Sequence, residues 1–79
     1  MKTNVSIKSN YIEEYREIEK KLIELRCTFT DYIDINEKYV YIDYVKRIST
    51  SVIYWGDIYN SLEEFLKDYG MINKKQSGV

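Results

Sequence analysis

The sequence predicts an α+β domain in the order α-β-β-β-α: a three-stranded antiparallel meander with both helices on one face, open to an extra N-terminal edge strand. Three observations predict it. Apolar side chains recur at helical spacing over residues 10–26 and again over 62–69, the period changes to two between residues 27 and 55, and Asn, Gly and charged residues punctuate the joins. At 79 residues the chain has room for one domain only, taken as residues 1–72 with a polar C-terminal tail at 73–79 that is expected to be flexible.

In residues 1–9 only Val5 and Ile7 alternate, as in a short edge strand or a loose arm. Asn10 followed by Glu13 reads as a capping box that starts the first helix. Tyr11, Tyr15, Ile18, Leu22 and Leu25 then form one apolar stripe, widened by Ile12 and Ile23. Glu13, Glu14 and Glu17 lie early and Lys20, Lys21 and Arg26 late, the order that complements the helix dipole.

From Cys27 the chain alternates. A first strand to Ile35, a two-residue turn at Asn36-Glu37, a second strand Lys38–Lys46, a connection Arg47–Thr50 and a third strand Ser51–Trp55 make the expected meander. That register sets Ile33 opposite Val40, Phe29 opposite Tyr44, Tyr44 opposite Ile53 and Ile42 opposite Trp55, all on the helix side. Thr30, Tyr32, Asp34, Tyr39, Tyr41, Asp43, Val45, Val52 and Tyr54 fall on the other side. Gly56-Asp57 breaks the last strand. Asn60 with Glu63, or Ser61 with Glu64, caps a second helix carrying Leu62, Phe65, Leu66 and Tyr69 on one face, with Gly70 and Met71 placed for a Schellman ending.

Composition excludes several chemistries. There is no histidine, the commonest neutral-pH base and zinc ligand, so Cys27 has no imidazole to activate it and reads as a small buried hydrophobe. Twelve Lys+Arg against thirteen Asp+Glu leave a net charge of −1, without the cationic field that non-specific nucleic-acid binding needs. The only candidate phosphate contacts are Lys46, Arg47, Lys74 and Lys75, and nucleic acid is the disfavoured reading. Asp31, Asp34, Asn36 and Glu37 offer oxygen donors around a turn, but they lack the spacing and glycine of a calcium loop, so no metal or cofactor is expected. No apolar run is long enough to span a bilayer. The single cysteine and the absence of a leader pattern point to the reducing cytoplasm.

The expected binding region is the open sheet face, where Tyr32, Tyr39, Tyr41 and Tyr54 surround Asp34 and Asp43. Tyrosine offers large rigid contact area with a hydroxyl, and carboxylates between the rings favour a partner bearing Arg or Lys. The segments Asn10–Arg26, Cys27–Trp55 and Asn60–Gly70, in that order and without alanine, resemble small phage-encoded inhibitors of bacterial defence, anti-CRISPR proteins in particular. That resemblance implies a larger protein as partner, a nuclease or other defence component whose basic residues the acidic side chains would engage. The expectation is a non-enzymatic binding module or inhibitor. Its alternatives are a homo-oligomeric module packed through the same face and, less favoured, a nucleic-acid-binding domain.

Overall fold

The computed structural model describes residues 2–68. The elements run β1 (Val5–Lys8), α1 (Ile12–Glu24), β2 (Thr28–Phe29), β3 (Tyr39–Ile42), β4 (Arg47–Ser51) and β5 (Asp57–Tyr59), and residues 62–68 are helical (α2). The α+β class and both helices are as predicted. The sheet has five strands, is mixed rather than a meander, and has the order β2-β4-β3-β1-β5. Only β3 is antiparallel to its neighbours; β1 pairs parallel with β5, and β2 parallel with β4.

Register places Val5, Ile7, Val40, Ile42, Ile48, Thr50 and Tyr59 on one side of the sheet. Tyr15, Ile18 and Leu22 of α1 and Phe65 of α2 close over that side to form the core, with Cys27 beside them. Tyr59 and Phe65 meet edge to face with centroids 5.4 Å apart, which ties β5 to α2. Both helices therefore cover one face.

The first helix begins and ends with different chemistry from that expected. Tyr11, not Asn10, is the N-cap and makes no side-chain cap bond; the Asn10 backbone N–H donates instead to Glu14 Oε1 at 2.7 Å, so Glu14 rather than Glu13 reaches back. Tyr11 lies off the packed stripe and is exposed. At the other end Arg26 N–H donates to the Ile23 carbonyl and Cys27 N–H to that of Leu22, a complete Schellman pair with Arg26 at φ 67° where glycine is usual. Before α2, Glu64 N–H donates to Ser61 Oγ at 3.1 Å, the second of the two predicted caps. Gly70 and Met71 lie outside the described residues.

The strand assignments are corrected in four places. The N-terminal segment is a strand, but it sits between β3 and β5 rather than at an edge. The segment predicted as the first meander strand runs beside β4, not β3: Thr28 N–H donates to Lys46 O, Thr30 N–H to Ile48 O and Thr50 N–H to Tyr32 O. Its alternation suited either neighbour, and the choice fell to Thr50. That buried hydroxyl accepts from Asp34 N–H at 2.7 Å and donates to Glu37 Oε1 at 2.8 Å, fixing the 34–37 turn against β4.

The predicted connection Arg47–Thr50 is β4 itself, and the true turn lies at 43–46. Asp43 Oδ1 accepts from Val45 N–H and Arg47 N–H there, and Lys46 takes φ 65°. Serine and threonine disguised β4 as a loop. Finally, Ser51–Trp55 is not a third meander strand: Ser51 ends β4, and residues 52–56 cross the sheet to reach β5, a strand the sequence reading did not contain. Trp55 and Ile53, expected in the core, are exposed, as are Phe29 and Tyr44.

Candidate functional site

The crossover at 52–56 defines the surface of most interest. β4 and β5 are parallel and separated by β3 and β1, so the chain must travel about 14 Å across the strands at roughly 4.8 Å each. It must also return three residues along them, since Ser51 lies level with Tyr39 and Lys8 whereas Asp57 lies level with Val5. That diagonal is roughly 17 Å, against about 20 Å of reach for six fully extended steps. The crossover is a short strap with little length to spare, bent at residues 52, 53 and 56, where Ile53 N–H donates to Ser51 Oγ at 3.2 Å.

Handedness decides which face it takes. The β1-α1-β2 and β4-β5 connections both join parallel strands, but they run in opposite directions across the sheet. Two such crossovers share a hand only if they use opposite faces, and one hand is strongly favoured. With α1 on the core side, the strap belongs on the other.

Contacts on that side hold it down. Ser6 points away from the core yet is fully buried, because its Oγ donates to the Trp55 carbonyl at 2.8 Å and accepts from Trp55 N–H at 2.8 Å. One hydroxyl thus satisfies both backbone groups of a residue that has no ladder partner. The Tyr54 ring meets Tyr39 edge to face at 5.8 Å. At the far end Asp57 N–H donates to the Asn4 carbonyl, and Gly56 at φ 67° leaves room for it: a Cβ there would stand 1.9 Å from Asn4 O. Ser49 and Ser51, level with Ser6–Tyr41 and Lys8–Tyr39, keep the face low where the chain crosses.

The strap sends its own side chains outward. Val52 is 69% exposed, Ile53 53%, Tyr54 52% and Trp55 54%, a run of large apolar residues beside the half-buried Tyr39.

Of the six residues nominated from sequence, Tyr39, Tyr41 and Tyr54 come together on this face. Tyr41 is partly withdrawn, its hydroxyl donating to Asn4 Oδ1 at 2.8 Å. Asp43 lies farther along the same strand face but is occupied by the turn and by Arg47 Nε at 3.1 Å. Slight burial works against its ionisation, yet the N–H groups of Arg47 and Val45 and the Arg47 charge outweigh it and hold the carboxyl below its ordinary range. Tyr32 and Asp34 are elsewhere, beside the β2–β4 edge, with Asp34 Oδ1 accepting from Asn36 N–H and the Tyr32 hydroxyl reaching Glu37. Asp31 is exposed. Val52 was placed on the open face without being named as a contact, and Ile53, Trp55 and Ser6 were not placed there. Their signal was a stretch without charge from Ile48 to Gly56, ending in consecutive large apolar residues.

No family model, curated protein or solved structure matches the chain.

Other features have less to offer. Among the described residues no three of His, Cys, Asp and Glu converge to hold a metal ion, and no helix is long and apolar enough to cross a membrane. Burial pushes the Cys27 thiol up in pKa, opposed by Lys46, the reverse of what activates a nucleophile. A groove of about 670 Å³ runs between α1 and α2, lined by Tyr11, Glu14, Glu17, Leu62, Leu66 and Lys67. It is open, and Glu14 within it is taken by Asn10.

Proposed function

We propose that this chain is a non-enzymatic protein-binding module whose contact surface is the strap Val52–Trp55 with Tyr39 beneath it. The observation that carries the reading is four consecutive large apolar side chains, each more than half exposed, on a backbone pinned to the sheet. Isolated exposed apolar residues are ordinary, as Ile12 and Ile23 on α1 are, but a contiguous apolar run marks contact surfaces. Rigidity strengthens the case, because a surface already ordered loses little entropy on docking.

Compared with the expectation from sequence, the aromatic component stays and the acidic component recedes: Asp34 is at another edge and Asp43 is internally paired. The surface therefore suits an apolar protein face better than a basic channel. A nuclease or other defence component, the class implied by the resemblance to phage inhibitors, would be met through such an apolar face.

Affinity capture from the source cell tests the reading. Wild type and Tyr32→Ala are expected to recover the same partner, and Tyr54→Ala/Trp55→Ala to lose it. Equal recovery by all three overturns the assignment of this surface.

A further inference from the structure

We infer that the strap face is where a second copy of this chain docks, about a two-fold axis passing through Val52–Trp55; this rests on the protein-binding reading above and makes the second copy an occupant that any other partner must displace.

Area is the first argument. With aromatic side chains offering about 150–250 Å² each, the four strap residues expose on the order of 450 Å², the size of patch that commonly marks an interaction site. Doubled across a two-fold axis and extended to a rim of Lys8, Ser49 and Ser51, this reaches about 1,000–1,200 Å², the lower end of specific interfaces. The association should accordingly be weak and concentration-dependent.

Charge is the second. A two-fold axis sets every residue near it against its own copy, so a charge there would face its like. From Ile48 to Gly56 there is none. Two of the flanking charges are already engaged within the chain, Arg47 with Asp43 at 3.1 Å and Asp57 with Lys2 at 3.4 Å, and Lys8 lies out at the rim. The net charge of −1 adds little repulsion between copies. Among the described residues a nucleic acid would find on this face Lys8 and an Arg47 already paired with Asp43.

Preorganisation is the third. The turn bond from Ile53 N–H to Ser51 Oγ, the paired bonds from Ser6 and the Asn4–Asp57 bond hold the strap in one shape before any partner arrives. An uncharged surface already held in place can meet its own image without rearranging.

Sedimentation velocity on the full chain, over concentrations on the order of 10–500 µM, tests this, with the emission of the sole tryptophan as a second readout. Wild type should pass from monomer to dimer with a blue shift in Trp55 emission. Val52→Asp and Trp55→Asp should remain monomeric throughout. Both substitute exposed positions, and circular dichroism verifies that each variant is folded. A dimer that persists in both folded variants overturns the face. A wild type that is monomeric throughout overturns self-docking while leaving the capture experiment to decide the protein-binding reading.

Discussion

Arg26 and Lys46 both hold left-handed backbone conformations without being glycine, Arg26 closing α1 and Lys46 closing the β3–β4 turn. An L side chain pays roughly 1–2 kcal/mol for this geometry. Arg26→Gly should therefore raise stability by about 0.5–1 kcal/mol after the added freedom of the unfolded chain is subtracted. The urea midpoint should rise at unchanged slope, and Lys46→Gly should behave likewise. Tyr15 supplies a pH signature. Burial, then the neighbouring Glu19 that accepts from its hydroxyl, pushes the phenol up to about 12. The folded state thus prefers the neutral phenol, whereas in the unfolded chain it ionises near 10. Its contribution is present in full below about pH 10 and is lost as pH rises towards 12. Urea titrations from pH 9 to 12 should show a falling midpoint in wild type and a shallower fall in Tyr15→Phe.

At the scale of elements, the legible parts were those governed by local chemistry. The i, i+3, i+7 stripe of Tyr15, Ile18 and Leu22 identified α1, and Ser61 with Glu64 identified the start of α2. Strand neighbours were illegible because alternation says which residues share a face, not which strand lies alongside. The 28–34 segment offered the same pattern to β3 and to β4, and buried Thr50 selected β4. Of the candidate site, Tyr39 and Tyr54 were found for a reason only partly right: both lie on the open face, but Tyr54 arrives on a crossover rather than a strand. The strap's tightest point is Gly56. Gly56→Ala adds a Cβ that would overlap the Asn4 carbonyl and strains a left-handed backbone, so it should destabilise by about 2–4 kcal/mol. Amide exchange should show the loss first at Trp55 and Asp57, with α1 retaining its protection until global unfolding. Uniform loss across the molecule would instead show that strap and core open together.

At the scale of the whole molecule, connectivity makes the N-terminal segment indispensable. β1 contributes Val5 and Ile7 to the core, pairs with β3 on one side and β5 on the other, and presents Ser6 to the strap. A loose arm or an edge strand would be expendable, but a central strand is not. Removing residues 1–8 should abolish cooperative unfolding and amide dispersion, as read by thermal melts and two-dimensional NMR. Retention of a folded sheet would contradict the strand order described here.

Local grammar settled the α+β class, the two helices, the apolar sides of β1 and β3, and the lack of an imidazole anywhere, since each depends on residue type and on spacings of a few positions. Long-range packing settled the rest: β1 between β3 and β5, β2 beside β4, and Val52–Trp55 drawn across the face opposite the helices. Those outcomes depend on crossover hand, on the reach of a short chain segment and on two buried hydroxyls, Ser6 and Thr50, whose partners are 49 and 16 residues away for the bonds that matter most. Hydrogen bonds over such separations leave no periodic trace in the sequence, because what they require is coincidence in space rather than order along the chain.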